Sequence, residues 1–290
     1  MAYAVFLGMM LTVVIPVFNE RRFVRQVVDE VSRQRIAGID QMEIVLVDDC
    51  STDGTTQIVQ ALQREHPETL HLVLHKRNCG KGAALRSGFT EAKGDIIIVQ
   101  DADLEYEPSQ YPVLLRPILD GRADVVFGSR FMASQEKRVL YFWHMVGNRF
   151  LTLLSNVLTN INLTDMETGY KAFRKDVLQS VTIRENRFGF EPEITAKVAK
   201  LRCRIYEVGI AYHGRTYAEG KKISWRDGLW ALCCILKYNV LSVGPPVRWA
   251  PAPQASTTPE PTAPAFAELG MTDGANQNRR PGLSVTSLPD

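Results

Sequence analysis

Leu11-Thr12-Val13-Val14-Ile15 is a β-branched, uninterrupted apolar run near the start of the chain. A half-buried strand alternates apolar with polar residues, whereas a run without alternation suits a strand buried on both faces of a parallel sheet. Further runs extend this reading: Glu43 to Val47, His71 to Leu74, Asp95 to Val99 and Asp124 to Phe127. Between them Val24, Val27, Val28 and Val31 recur at helical spacing, as do Ile58, Val59 and Leu62, and Leu114, Leu115 and Ile118. Strands alternating with helices through right-handed crossovers predict an α/β domain with a mostly parallel sheet. Ligands bind such sheets beyond the carboxyl ends of the strands, so chemistry is sought just after each run.

The rest of the composition narrows the class. Of 290 residues 45% are apolar and 23% charged, enough for a sizeable core. Thirty-four basic against 32 acidic residues leave a net charge of +2, far from the balance of a general nucleic-acid binder, so no nucleic-acid partner is expected. Five scattered cysteines without metal spacing suggest neither a disulfide framework nor structural zinc, and suit a reducing cytosol. No run reaches the roughly 20 apolar residues of a membrane-spanning helix. Nine of the 15 prolines fall in residues 245–290. The organisation expected is therefore one domain over 1–244 followed by a Pro/Ala-rich disordered tail over 245–290.

Carboxylates crowd the strand ends. The second run ends in Asp48-Asp49 and the fourth in Asp101-Ala102-Asp103-Leu104-Glu105. Two carboxylates one residue apart repel unless a cation is near, and hard oxygen ligands suit Mg²⁺ or Mn²⁺. A solvated turn or helix cap is the competing reading. Asn78-Cys79-Gly80-Lys81-Gly82-Ala83 follows the third run and looks like a phosphate-binding glycine loop. It fails the P-loop pattern, and glycines that let a helix start close to the sheet explain it as well.

Pro16-Val17-Phe18-Asn19-Glu20, Val47-Asp48-Asp49-Cys50-Ser51-Thr52-Asp53-Gly54, Asn78-Cys79-Gly80-Lys81-Gly82, Asp101-Ala102-Asp103-Leu104-Glu105 and Gly128-Ser129-Arg130-Phe131 stand in the order of the family-2 glycosyltransferases. Over residues 10–241 the chain resembles their polyprenyl-phosphate, dolichyl-phosphate mannosyltransferase-like branch. The resemblance implies a GT-A glycosyltransferase fold, with a nucleotide-sugar-binding half over 10–130 and an acceptor, membrane-facing half over 131–244. It places Pro16, Phe18, Glu20, Val47 and Asp49 around the nucleotide base and ribose, and Asp101, Ala102, Asp103 and Glu105 at the metal and diphosphate. Relatives often carry Gln where Glu105 stands. Lys81 falls in the glycine loop, and Arg130 faces the sugar phosphate.

In the second half Thr164-Asp165-Met166-Glu167-Thr168-Gly169-Tyr170-Lys171 resembles the acceptor-side segment, with Asp165 in register. Arg215 and Lys221 match the basic positions of the Arg…Glu-x-Lys loop. Glu191 and Glu193 read equally well as helix-start acids or as functional groups. The five histidines read as ordinary surface or packing residues. By resemblance the catalytic set is Asp101, Asp103, Arg130, Asp165 and Arg215, with Mg²⁺ or Mn²⁺ and a donor of the GDP-mannose or UDP-glucose type. The expected reaction is inverting transfer of a hexose to a polyprenyl phosphate. A soluble saccharide or protein acceptor, or a non-catalytic sugar-nucleotide-binding partner, are the alternatives.

A lipid acceptor requires a membrane contact. Val139 to Ile161 and Trp225 to Val243 are apolar enough to supply it, the second flanked by Lys221, Lys222, Arg226 and Lys237. Core packing is the competing reading. The chain is expected at the cytoplasmic face of a membrane, attached peripherally, with a membrane-anchoring protein or a second copy as possible companions.

Overall fold

A computed structural model describes residues 8–132, 138–139, 141–215 and 225–242, all within the compact unit Met1–Pro251. The expected tail at 245–290 and the loop residues Lys221 and Lys222 lie outside the described residues.

The five runs are strands: β1 (Met9–Val17), β2 (Ile39–Asp48), β3 (Leu70–Leu74), β4 (Ile96–Val99) and β5 (Val125–Ser129). The periodic segments between them are helices α1 (Val24–Ser32), α2 (Thr55–Glu65), α3 (Lys81–Glu91) and α4 (Tyr111–Leu119). Then come α5 (Phe142–Thr159), β6 (Lys171–Arg174), α6 (Lys175–Gln179), α7 (Phe190–Lys200), β7 (Ile205–Gly209) and α8 (Trp225–Leu236), which runs into a π-helical turn at Lys237–Leu241.

The sheet order is β3-β2-β1-β4-β6-β5-β7, all parallel except β6, which is antiparallel to both β4 and β5. In β1 side chains alternate between layers: Leu11, Val13 and Ile15 pack with α1, α2 and α4, whereas Val14 joins Val45, Val47, Ala84 and Leu85 beneath α3. Both faces are covered, which is why these strands read as continuous apolar runs. Strands β6 and β7 have no such signature: they are four and five residues long and carry Lys171 and Glu207. Lys171 is fully buried in mid-sheet, its ammonium donating to the Met166 and Thr168 carbonyls.

The two apolar segments differ. On α5 the side chains of Trp143, Val146, Phe150, Leu153 and Val157 are exposed, with Leu153 at 63% and Val157 at 69%, while Thr152 and Ser155 are buried. Helix α8 is split: Ala231, Cys234 and Ile235 are buried, Leu229, Trp230 and Leu236 exposed. Among the described residues no helix is long and apolar enough to cross a membrane.

Candidate active site

The carboxyl ends of β1, β2 and β4 bring the expected acids to one region. Asp101 and Asp103 follow β4, and each meets a cation. The Lys81 ammonium, at the start of α3, lies 2.9 Å from Asp101 and 3.1 Å from Glu191. The Arg215 guanidinium lies 2.8 Å from Asp103 and 3.4 Å from Glu20. Burial alone would pull the Lys81 pKa down, but Asp101 and Glu191 hold it well above the ordinary lysine value. For Asp103, burial and then the charges of Asp101 and Glu105 push the pKa up to about 7, against the pull of Arg215. Gly169 presses against this centre: a Cβ there would sit 2.3 Å from the Asp101 carboxylate, so a larger residue would displace it.

Glu105 takes a different place. Its carboxylate accepts from the Tyr212 hydroxyl and the Arg215 backbone N–H, both at 2.8 Å. It thereby fixes the segment that carries Arg215, whose Nε lies 3.5 Å from the same carboxylate. Arg130, just past β5, grips the fully buried Asp165 with Nε at 2.6 Å and Nη2 at 2.7 Å. Helix α5 reaches the same carboxylate through Asn148 Nδ2 at 3.3 Å. Phe18 is 36% exposed after β1 and Glu20 is buried beside Arg215, with Pro16 half-buried in the strand. Val47 and Ala102 are buried in the two hydrophobic layers. Lys221 is outside the described residues.

Asp49 anchors the glycine loop. Its Oδ1 accepts from Cys79 N–H at 2.8 Å and its Oδ2 from Gly80 N–H at 2.6 Å, while His75 Nδ1 stands 2.6 Å from Oδ1. Gly80 has φ +94°, and a Cβ there would lie 2.3 Å from the Asn186 carbonyl, so its glycine serves close backbone approach. His75 Nε2 meets Ser87 Oγ at 2.9 Å, so both ring nitrogens have polar partners, a pairing that a single histidine does not signal in the sequence. Glu193 bonds the backbone N–H groups of Arg184 and Glu185 and so holds a loop; Glu191 instead faces the centre through Lys81. Glu167 was not singled out by sequence, yet its Oε1 and Glu191 Oε2 are buried without a hydrogen-bond partner. Burial and the neighbouring Glu191 push the Glu167 carboxyl up to about 8.

In an α/β sheet the carboxyl ends of the strands, where these acids and cations gather, are where ligands bind. The Glycosyl transferase family 2 model matches residues 12–182, and the chain belongs to that family; it is a glycosyltransferase. It is 30% identical to the undecaprenyl-phosphate mannosyltransferase of Micrococcus luteus, over 72% of this chain and 85% of that protein. It is 29% identical to the dolichol-phosphate mannosyltransferase of Pyrococcus furiosus, over 74% of this chain but 61% of that one. Among solved structures it resembles glucosyl-3-phosphoglycerate synthase from Mycobacterium tuberculosis, crystallised with Mn²⁺, uridine diphosphate and glucosyl-3-phosphoglycerate. That similarity has a TM-score of 0.61 at 20% identity, covers 80% of each chain, and shows the GT-A fold.

Proposed function

We propose that this chain moves a hexose from a nucleoside-diphosphate sugar to a polyprenyl phosphate, with inversion, at a centre where Asp101 and Asp103 hold Mg²⁺ or Mn²⁺. One observation carries the acceptor assignment. The helix that exposes Trp143, Phe150, Leu153 and Val157 is the helix whose inner face touches Asp165, the partner of Arg130. An apolar surface is thus built directly onto the polar acceptor end of the site, as a lipid phosphate requires. Both relatives named above act on polyprenyl phosphates by their descriptions, which supports the same reading.

Asp101 and Asp103 fit a divalent cation. They are oxygen donors, and burial, then the neighbouring charges of Asp101 and Glu105, leave Asp103 raised despite Arg215, a cost that added positive charge relieves. Bound there, the metal would supply charge neutralisation to the departing diphosphate. Lys81 and Arg215 already contribute fixed positive charge on either side of the two acids. A phosphate monoester, with a second pKa of about 6, is largely a dianion at neutral pH, so attack on the anomeric carbon needs no strong general base. One acceptor oxygen bonds to that carbon as its bond to the diphosphate oxygen breaks on the opposite face. Arg130, held by Asp165, is positioned to orient the attacking phosphate. Attachment would be peripheral, through α5 and the exposed side of α8.

The test is a donor screen, GDP-mannose and UDP-glucose first, with a short polyprenyl phosphate as acceptor and Mg²⁺ or Mn²⁺ present. The expected products are a polyprenyl phosphate sugar of inverted configuration and a free nucleoside diphosphate. Transfer to soluble saccharides with none to the lipid phosphate would overturn the acceptor assignment.

A further inference from the structure

Asp49, His75 and Cys79 form a cluster of which the donor reading uses only Asp49. One carboxylate oxygen, one imidazole nitrogen and the thiol sulfur all lie within 4.8 Å of one another, and among the described residues this is the one constellation of three such ligand atoms. Asp49 comes from the end of β2, His75 from just past β3 and Cys79 from the turn before α3. Three segments of the sheet's ligand-binding edge therefore converge on one point. We propose that these three side chains bind a thiophilic divalent cation, Zn²⁺ above all, at a second metal site separate from the Asp101–Asp103 centre.

The chemistry suits that ion. A carboxylate, a thiolate and a neutral imidazole carry two negative charges and mix a soft sulfur with nitrogen and oxygen, a donor set that favours Zn²⁺ over Mg²⁺. Tetrahedral bonds of about 2.0 Å to N and O and about 2.3 Å to S place ligand atoms about 3.3–3.6 Å apart; here His75 Nδ1 and Asp49 Oδ1 would part from 2.6 Å, and all three atoms already lie within 4.8 Å of one another. The ion would replace the proton shared by His75 Nδ1 and Asp49 Oδ1, now 2.6 Å apart.

The surroundings are already arranged as outer-shell supports. His75 Nε2 lies 2.9 Å from Ser87 Oγ, which fixes the ring with Nδ1 facing Asp49. Asp49 Oδ2 is held by Gly80 N–H at 2.6 Å and Oδ1 by Cys79 N–H at 2.8 Å, so the Oδ1 lone pair that now meets His75 Nδ1 is the one left for an ion. The thiol points to the Arg77 carbonyl at 3.3 Å, a weak bond that coordination can replace. Three protein ligands leave a fourth position for water or another group. The functional consequence rests on the donor reading above: Asp49 stands at the nucleotide end of the site, so an occupied cluster withdraws it from the donor and Zn²⁺ acts as an inhibitor.

The test uses Co²⁺ as a spectroscopic substitute on the full chain. With a hundredfold excess of Mg²⁺ present to fill the Asp101–Asp103 centre, wild type should show a thiolate-to-cobalt charge-transfer absorption that saturates at one equivalent of Co²⁺ and is bleached by Zn²⁺. The band should vanish in Cys79→Ser and in His75→Gln, each with a cooperative melt, and persist in Cys50→Ser and Asp103→Ala. No charge-transfer band in wild type, a band that survives Cys79→Ser, or one lost in Asp103→Ala would overturn the site. As a second measurement, saturating Zn²⁺ should weaken UDP or GDP binding at least tenfold in wild type and not in Cys79→Ser. Failure of both nucleotides to bind without Zn²⁺ overturns the donor reading alone, because the cobalt spectrum decides the metal site by itself.

Discussion

Asp103 stands in the strand-end turn after β4, its Oδ1 accepting from the Glu105 N–H at 3.2 Å and its Oδ2 2.8 Å from an Arg215 guanidinium that keeps Glu20 and Glu105 as further partners. Asp103→Ala should therefore keep a cooperative melt while transfer falls on the order of a hundredfold or more, the scale of losing one group that stabilises developing charge. Wild-type turnover at limiting Mn²⁺ in this variant would remove Asp103 from the metal. Arg130 and Asp165 behave otherwise. Breaking a buried ion pair leaves one uncompensated charge at a cost of about 3–5 kcal/mol, so Asp165→Ala should lose stability as well as activity, read by urea unfolding. Glu167 sets a pH dependence. Its carboxyl sits at about 8 in the fold against an ordinary 4.5, so the folded state keeps a proton that the unfolded chain has released. That contribution is complete below about 4.5 and is lost as pH rises through about 8. Wild type should thus lose stability relative to Glu167→Gln between pH 5 and 8, by at most about 1.4 kcal/mol per pH unit. Lys171, lowered to about 8 chiefly by burial, acts above that window. Parallel stability curves for the two proteins would show that Glu167 is ionised throughout.

At the scale of the element, α5 and α8 separate two uses of apolar residues that look alike along the chain. Val139 to Ile161 and Trp225 to Val243 are both rich in Leu, Trp and Val. Only packing shows that α5 turns Trp143, Val146, Phe150, Leu153 and Val157 outward, whereas α8 buries Ala231, Cys234 and Ile235 and ties Trp230 Nε1 to Glu185 at 3.3 Å. Leu153→Glu combined with Val157→Glu should leave stability within about 1 kcal/mol, since both side chains are mostly exposed. The same variant should lose vesicle binding and activity toward long-chain acceptors before activity toward short ones. A large drop in melting temperature would place this face against protein. Strands β6 and β7 escaped the sequence reading for a related reason. Four or five residues with Lys171 or Glu207 among them carry too little apolar signal, and their place depends on partners far along the chain: β6 on β4 and β5, β7 on β5.

For the whole molecule, the proposed lipid acceptor requires a membrane contact, and among the described residues no helix is long and apolar enough to cross a membrane. Exposed apolar side chains on two helices, with Arg226 on α8 and Lys237 just after it, the latter 2.7 Å from Glu185, would under that reading favour reversible binding to an anionic surface. Basic residues contribute about 1 kcal/mol each near such a surface, and salt screens them within roughly a Debye length. The protein should therefore sediment with anionic vesicles at low salt and be partly released at high salt. Extraction by detergent only would point to a deeper anchor.

The order of β1 to β5, the helices between them and the acidic strand ends were legible in the chain, because burial on both faces leaves uninterrupted runs and helical faces leave three- and four-residue spacing. The positions of Asp101 and Asp103 followed from the same pattern. Which charges neutralise which did not: Lys81 meets Asp101 from 20 residues away and Arg215 meets Asp103 from 112. Nor did the turning of Glu105 to Tyr212, the convergence of Asp49 with His75 and Cys79, or the burial of Lys171 in mid-sheet. Local periodicity records how each segment meets the core. The pairing of side chains across strand ends depends on loops that only the closed sheet brings together.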